Sequence, residues 1–304
     1  MQVKWEGIYP AVTTKFDEND QLDLVTFGRN IEAQLDAGVS GIILGGTLGE
    51  ASSLSKEEKQ TILREAVKII NGRVPVILNI AEQTTEAAIA FVNDAKTNGA
   101  DGLMLLPPMR YAADDLETVS YFKAVANATD LPVMIYNNPI DYKVMVTLDM
   151  FKELSAIPTI QAIKESSRDI TYLTRLKIAF GDRFKILSGV DNLALESIVM
   201  GADGWVAGLV CAFPAETVAI YKLAKAGKIQ EAIDLYRWFI PLLELDISSK
   251  LVQNIKLAEV ATGIGTDQVR PPRLPLAGKE RERVQQIISS SLATRPTLPD
   301  YKSL

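Results

Sequence analysis

One lysine in this sequence stands where a charged side chain is costly. Lys164 ends an apolar run, residues 159–164. Strand alternation places Lys164 on the same face as Ile160 and Ala162 and turns Ile163 to the other side. An ammonium among apolar walls must be paired or lose its proton, and a neutral amine facing a cleft is the usual nucleophile for imine formation with a ketone. We therefore expect Lys164 to form a Schiff base; a buried ion pair is the alternative.

A tyrosine ends the preceding apolar run, residues 131–136. Met134 and Tyr136 share its inward face, and neighbouring parallel strands lie about 4.8 Å apart, so Tyr136 and Lys164 can meet near the strand ends. A phenol is suited to carry protons while a carbinolamine forms and loses water. The alternative for Tyr136 is a core tyrosine whose hydroxyl is hydrogen-bonded within the protein.

A glycine-rich turn, Gly45-Gly46-Thr47-Leu48-Gly49-Glu50, follows the second apolar run. Glycines allow a turn whose amides converge on an anion, and the Thr47 hydroxyl adds a donor. Beside an imine-forming lysine, we expect this turn to hold a substrate carboxylate. Ser55-Lys56-Glu57-Glu58 then predicts a capping box at the start of the next helix.

The composition excludes several other chemistries. Histidine is absent, which rules out Ser-His-Asp and Cys-His catalysis and metal sites built on imidazole; an all-carboxylate magnesium site remains open. Proton transfer must then use Tyr, Lys, Asp, Glu, substrate or water. Cys211 is the single cysteine, interpreted as structural, so no intrachain disulfide forms and a cytoplasmic location is expected.

The charge balance and hydropathy exclude two kinds of partner. The net charge of −6 argues against nucleic acid and against an anionic membrane surface. No apolar run approaches the roughly 20 residues of a membrane span, and residues 1–10 lack the layout of a secretory signal.

Eight short apolar runs alternate with segments of helical periodicity. This alternation is typical of a parallel sheet covered by helices. Eight such units predict an α/β fold of the (β/α)8 TIM-barrel type, in which active sites form at the carboxyl ends of the strands. An open, doubly wound sheet is the competitor, but a glycine-rich phosphate turn does not follow the first run. The predicted strands are residues 7–12, 41–45, 74–80, 102–106, 131–136, 159–164, 184–187 and 204–208.

The strand pattern stops after Gly208. Helical periodicity predicts helices over residues 215–226, 229–245, 249–262 and 278–292. We therefore expect residues 1–225 to form the catalytic barrel and residues 226–304 a C-terminal helical extension. Residues 294–304, which include two prolines, are expected to form a loose tail.

In order and spacing, these elements resemble the dihydrodipicolinate synthase / N-acetylneuraminate lyase superfamily. Gly46-Thr47-Leu48-Gly49-Glu50 is similar to its Gly-[Thr/Ser]-Thr-Gly-Glu signature, and Tyr136-Asn137-Asn138-Pro139 to its Tyr-Asn-x-Pro motif. Ile163-Lys164-Glu165 resembles its lysine motif, and the tyrosine-to-lysine interval is the one the family keeps. Gly189 matches the glycine before the seventh loop, and Val206 stands where an apolar residue commonly lines the site.

The resemblance implies a (β/α)8 barrel assembled as a homotetramer, a dimer of dimers. It also implies a mechanism without metal or organic cofactor, in which Lys164 attacks the ketone of pyruvate or another 2-oxo acid. Tyr136 would move protons at the resulting imine. The Thr47 hydroxyl and the Thr47 and Leu48 amides, in the turn that begins at Gly46, would hold the carboxylate.

Three departures from the family pattern bear on the substrate. Leu48 replaces the second hydroxyl residue of the signature. Asp141 stands where dihydrodipicolinate synthases carry the arginine that binds the second substrate's carboxylate, a reversal of charge. Those enzymes also receive a tyrosine from a neighbouring subunit, where Met109 aligns here; Tyr111 could substitute only if the loop differs.

These departures favour the branches of the family that act on other substrates. We expect a 1-pyrroline-4-hydroxy-2-carboxylate deaminase or a 2-keto-3-deoxy-sugar-acid dehydratase or aldolase. The likeness of segments such as 270–276 favours the deaminase. The alternative is a true 4-hydroxy-tetrahydrodipicolinate synthase, which joins pyruvate and aspartate semialdehyde. From other classes, a non-catalytic 2-oxo acid sensor and a metal-dependent aldolase with a carboxylate-only site remain as hypotheses.

Overall fold

Eight parallel strands form one sheet in the order β1-β8-β7-β6-β5-β4-β3-β2. The computed structural model describes residues 1–108 and 111–304. An isolated parallel bridge between Ala11 and Ile43 joins the two edges of the sheet, so the sheet is nearly closed and the predicted barrel is confirmed. The strands are β1 (Gly7–Pro10), β2 (Ile42–Leu44), β3 (Val76–Ile80), β4 (Gly102–Leu105), β5 (Val133–Asn137), β6 (Ile160–Glu165), β7 (Lys185–Ser188) and β8 (Gly204–Ala207).

Helices separate the strands and continue after the last one. At least one helix lies between each pair of consecutive strands, as the right-handed crossover of a parallel sheet requires. The helices are α1 (Leu24–Ala37), α2 (Lys56–Ile70), α3 (Thr85–Thr97), α4 (Asp115–Asn127), α5 (Pro139–Tyr142), α6 (Leu148–Leu154), α7 (Ile170–Phe180), α8 (Ala194–Val199), α9 (Pro214–Lys225), α10 (Ile229–Leu243), α11 (Leu251–Thr262) and α12 (Gly278–Ala293).

The strands divide the core into two layers because alternate side chains point to opposite faces of the sheet. The outer layer lies between the strands and the helices and includes Ile42, Ile135 and Ile163. The inner layer fills the barrel, and it includes Ile43, Met104, Met134, Ala162 and Val206. The barrel is therefore packed below its open end, and the carboxyl ends of the strands are where active sites form in this fold.

The strand that carries Lys164 departs from simple alternation at its start. Val133 pairs with Ile160, but Met134 pairs with Ala162, so Gln161 is an extra residue in the register. This irregularity turns Ile160 into the outer layer, while Ala162 remains in the inner layer. The prediction that Ile160 shares a face with Lys164 is therefore wrong, because a bulge interrupts the period of two.

The caps at two helix ends are formed by residue types that favour those positions. Gly38, with φ of 92°, caps α1 in the left-handed region that favours glycine. The predicted capping box at α2 is confirmed: the Glu58 amide donates to Ser55 Oγ at 3.2 Å, and the Ser55 amide donates to Glu58 Oε2 at 2.8 Å.

The C-terminal residues pack more closely than the sequence suggests. The four predicted helices correspond to α9 to α12. The expectation of a loose tail is wrong, because Tyr301 is buried in a short 3₁₀ turn and Lys222 Nζ donates to the Leu304 main-chain oxygen at 3.0 Å. None of the helices in the described ranges is long and apolar enough to cross a bilayer.

Candidate active site

An open cavity lies at the carboxyl ends of the strands. Eight of the residues that the sequence singled out for chemistry or substrate contact lie in its wall. These residues are Gly46, Thr47, Leu48, Tyr136, Asp141, Lys164, Gly189 and Val206. They come from five strand ends and the loops that follow, so the fold brings together residues that are far apart in the sequence.

Lys164 lies at the end of β6 with 7% of its surface exposed. It pairs in register with Tyr136 of β5, and its Nζ lies 3.9 Å from the centroid of the tyrosine ring. Among the ion pairs of the described residues, none includes Lys164. Burial lowers the pKa of Lys164 below the usual 10.5, against weaker opposing effects of Tyr142, Asp246 and other acids. The amine is therefore buried and unpaired, and it faces the cavity.

Tyr136 is buried beside the lysine, and burial raises its pKa to about 12. Its hydroxyl accepts a hydrogen bond from Asn138 Nδ2 at 3.1 Å. The same amide nitrogen donates to Asp141 Oδ2 at 2.7 Å. Asn138 thus links the phenol to Asp141, whose side chain is exposed towards the mouth of the cavity. The hydroxyl is protonated at neutral pH and can donate to an oxygen in the cavity.

The glycine-rich turn closes on itself after β2. The Glu50 amide donates to the Thr47 carbonyl at 3.1 Å, and the Ala51 amide donates to the Gly46 carbonyl at 3.2 Å. Among the described residues, the amides of Thr47 and Leu48 have no backbone acceptor. Leu48 is buried in the core, so this position contributes packing and an amide and no hydroxyl. The turn keeps donors free for an anion at the cavity edge.

Gly189 follows β7 and lies against the stem of the lysine. A Cβ atom at this position would lie 2.8 Å from both Cγ and Cε of Lys164, closer than packed carbons approach. The glycine is therefore needed because the lysine side chain passes over it. On the next strand, Val206 is buried and forms part of the apolar wall.

A second tyrosine, Tyr142, was missed by the sequence analysis. Its hydroxyl lies 2.9 Å from Thr47 Oγ1, and its ring packs edge-on against Tyr136 with centroids 5.3 Å apart. Its place in the short helix α5, one residue after Asp141, was the available signal. Tyr111 is 56% exposed and does not line the cavity of its own chain, and Met109 lies outside the described residues.

Two aspartates near the lysine were also missed. Asp191 is buried and accepts hydrogen bonds from Trp205 Nε1 at 2.9 Å and from the Leu209 amide at 2.8 Å. Asp246 lies between α10 and α11 and lines the cavity. Burial raises the pKa of Asp246 well above its usual range, with Asp191 reinforcing and Lys164 opposing the shift. Nothing in the local sequence marks Asp246, since the segment is brought to the barrel only by the packing of two helices.

Two buried ion pairs hold the loops beneath the glycine-rich turn. Lys256 Nζ donates to Glu50 Oε1 at 2.5 Å, and Lys15 Nζ donates to Glu259 Oε2 at 2.6 Å. Both lysines and both carboxylates are fully buried. Because Glu50 is the last residue of the turn, α11 is tied directly to the proposed anion site.

In the part of the chain that the structure describes, His, Cys, Asp and Glu side chains form no group of three suited to a metal.

Comparison with known proteins agrees with this geometry. The profile of the dihydrodipicolinate synthetase family matches residues 4–291. The chain is 34% identical over 272 residues to 4-hydroxy-tetrahydrodipicolinate synthase of Exiguobacterium sibiricum, covering 90% of this chain and 92% of that protein. It is 31% identical over 297 residues to a DapA-like lyase of Rhizobium meliloti, covering 94% and 97%.

Solved structures show the same similarity. The dihydrodipicolinate synthase of Bacillus anthracis superposes with a TM-score of 0.90 at 30% identity, covering 95% of this chain and 99% of that one. The pyruvate complex of the Acinetobacter baumannii enzyme also gives 0.90, at 28% identity and the same coverage. The chain therefore belongs to the dihydrodipicolinate synthetase family and is a lyase of the class that forms a Schiff base on a lysine.

Proposed function

We propose that Lys164 is the Schiff-base lysine and that the substrate is a small 2-oxo acid or a cyclic-imine acid. The observation that carries this proposal is the environment of the Lys164 amine. Among residues 1–108 and 111–304, Lys164 is buried and without a carboxylate partner, and it faces a cavity whose wall also holds a phenol and a turn with free amides. Burial lowers the pKa of Lys164, which increases the fraction of the nucleophilic neutral form.

The chemistry follows from the placement of these groups. Lys164 Nζ attacks the carbonyl carbon of the 2-oxo acid, whose carboxylate lies on the amides of Thr47 and Leu48 and on the Thr47 hydroxyl. The Tyr136 phenol gives a proton to the carbonyl oxygen, takes one from the attacking nitrogen and gives that second proton to the same oxygen. The oxygen leaves as water, which converts the carbinolamine to a protonated imine, and the phenol regains its proton from solvent. The protonated imine then accepts electrons from an adjacent bond that breaks. No metal or organic cofactor takes part in this proposal.

The cavity mouth favours a substrate without a second carboxylate. Asp141 lies there, held by Asn138. A carboxylate cannot bind another carboxylate as a guanidinium does. Loss of a buried guanidinium–carboxylate pair costs about 2–5 kcal/mol of binding free energy. The cost is smaller at an exposed residue such as Asp141. We therefore prefer a 1-pyrroline-4-hydroxy-2-carboxylate deaminase or a 2-keto-3-deoxy-sugar-acid dehydratase or aldolase.

One observation favours the alternative, a 4-hydroxy-tetrahydrodipicolinate synthase. Arg168 also lines the cavity, and its guanidinium could pair with the carboxylate of aspartate semialdehyde. Several relatives carry that name, among them the Exiguobacterium sibiricum protein, and one structural neighbour was solved with pyruvate. Arg168 is exposed, however, so the pairing would be weak.

Two measurements test the proposal. Borohydride reduction in the presence of pyruvate should leave a covalent adduct on the peptide that contains Lys164, identified by mass spectrometry. A screen should then compare pyruvate plus aspartate semialdehyde with 2-keto-3-deoxy sugar acids and the hydroxypyrroline acid. Release of ammonia would identify the deaminase. The absence of any adduct on Lys164 with all of these compounds would refute the proposal.

We also propose a homotetramer. Three large apolar side chains on the neighbouring helices α7 and α8 or directly after α8, Ile178, Val199 and Met200, are 81%, 54% and 49% exposed. Exposed apolar patches of this kind are typical of subunit contacts. Light scattering of the purified protein should give the mass of four chains, and a monomer at micromolar concentration would contradict the assembly.

A further inference from the structure

Asp246 belongs to the C-terminal part of the chain, yet it lines the cavity that Lys164 faces. Its carboxyl group packs on Gly208, the residue after β8, where a Cβ atom would lie 2.9 Å from Asp246 Cγ. In the sheet, β6 has β5 on one side and β7 followed by β8 on the other. Asp246 and Tyr136 therefore lie on opposite sides of Lys164.

The surroundings of this carboxyl favour its protonated form in the free protein. Burial is the largest effect on the pKa of Asp246, and it raises that pKa well above the usual value. Nearby acids act in the same direction, whereas cations oppose it. The charged and titratable groups that face Asp246 are Asp191, Asp141, Lys164, Arg168 and Tyr136.

Imine formation changes this balance. Before the reaction, burial lowers the pKa of Lys164 and so favours the neutral amine, which does less than a cation to stabilise a neighbouring carboxylate. The protonated imine is a fixed cation at the same place, and a nearby cation lowers the pKa of a carboxyl group. The fixed charge of the protonated imine therefore makes Asp246 a stronger acid once the substrate is covalently bound.

The substrate classes under Proposed function, on which this inference rests, share one feature. In a 2-keto-3-deoxy sugar acid and in the 4-hydroxypyrroline acid, carbon 4 carries a hydroxyl group two bonds from the imine carbon. With carbon 1 on the turn after β2 and carbon 2 on Lys164, the chain beyond carbon 3 faces the remaining wall. Asp246, Ile247 and Leu251 form part of that wall, and Asp246 is its half-buried acid, whereas Asp141 is exposed.

We propose that Asp246 is the acid that protonates the hydroxyl group leaving carbon 4. After imine formation carbon 3 loses a proton to solvent water, which gives an enamine. The nitrogen lone pair then re-forms the iminium, the carbon 3–carbon 4 double bond forms, and the carbon 4–oxygen bond breaks with its electron pair on oxygen. Asp246 gives its proton to that oxygen, which leaves as water, and Asp246 regains a proton from solvent. The net change is the loss of one water.

The first test separates this step from imine formation. Asp246→Asn keeps the shape against Gly208 but removes the acid; Asp182→Asn, in an exposed turn, is the matched control. Borohydride trapping with pyruvate should stay within about threefold of wild type in both variants. Turnover of 2-keto-3-deoxygluconate or the hydroxypyrroline acid should fall by about 10²–10⁴-fold in Asp246→Asn alone, the usual contribution of a general acid.

A leaving-group series excludes a merely structural role. Fluoride is a much weaker base than hydroxide and needs less protonation, so with 4-fluoro-2-oxobutanoate the deficit of Asp246→Asn should shrink to less than about tenfold. With 4-hydroxy-2-oxobutanoate it should remain large. Should Asp246→Asn not fold, Asp246→Ala with added formate provides the same comparison, and formate should restore part of the dehydration.

The outcomes distinguish this inference from the proposed function. A wild-type protein that gives no adduct on Lys164 refutes both. A wild-type adduct together with equal turnover in Asp246→Asn and Asp182→Asn refutes only the role of Asp246. The same conclusion follows from an equal deficit with both leaving groups, or from a wild-type adduct without water loss from any 4-hydroxy compound.

Discussion

Two regions of this molecule bury lysines, and they differ in whether a carboxylate contacts the ammonium group. Beneath the glycine-rich turn, Lys15 and Lys256 are each in contact with a carboxylate, at 2.6 and 2.5 Å. At the barrel mouth, Lys164 is nearly as buried, but it is in contact with a tyrosine ring, and among the described residues it forms no ion pair. The comparison shows that a partner at short range, and not burial alone, separates a structural lysine from a reactive one.

The pKa values of the two lysines also depend on whether a carboxylate is in contact with the amine. Burial lowers the pKa of Lys256 to about 8 while Glu50 opposes the shift, so the ammonium persists at neutral pH. At Lys164, burial is also the largest effect and lowers the pKa, but the opposing acids are not in contact with the amine.

The largest effect is expected at the unpaired lysine. Lys164→Met preserves side-chain length and removes the nucleophile, so turnover should fall by about 10⁴-fold or more, with loss of the borohydride adduct. Stability in urea should be unchanged or higher, because no buried partner is left behind. Residual turnover within tenfold of wild type would show that another group forms the covalent bond.

The paired lysine should respond in the opposite way. Lys256→Met leaves Glu50 buried without its cation, which should lower the free energy of unfolding by about 3–5 kcal/mol. Urea denaturation measures this change, and the exposed Lys279→Met is the control. Trapping of pyruvate by the folded fraction should persist. A loss of trapping without a loss of stability would break the distinction between the two regions.

Removal of the phenol should have an intermediate effect. Tyr136→Phe keeps the ring on which Lys164 lies and removes the hydroxyl, so the rate of imine formation should fall by about 10²-fold, a typical contribution of acid–base catalysis. The measurement is the initial rate of borohydride trapping with pyruvate. An unchanged rate would show that Tyr142 or water supplies the proton.

The smallest effect is that of pH on trapping by the wild-type protein. Only the neutral amine attacks, so the rate should rise about tenfold per pH unit below the pKa of Lys164 and then level off. Because burial lowers this pKa, the plateau should begin below pH 10.5. A rate that still rises tenfold per unit at pH 10 would indicate a solvated lysine.

The sequence was sufficient for the barrel because continuous apolar strands and amphipathic helices are encoded locally. The placement of Lys164 and Tyr136 followed from alternation near the strand ends, which the bulge leaves intact. The position of Ile160 did not follow, since the bulge depends on pairing between β5 and β6. The sequence does not predict that Asp246 lines the cavity for a similar reason, since only the packing of helices distant in the sequence brings it there.

The ion pairs beneath the turn make α11 inseparable from the barrel. Asp246, Lys256 and Glu259 all come from this late stretch of the chain, and each meets groups at the ends of the strands or in the loops that follow. A recombination event that exchanged the C-terminal helices between relatives would leave buried charges unmatched in the other half. The helices and the barrel must therefore be inherited together, and changes in specificity must arise within a fixed pairing of the two.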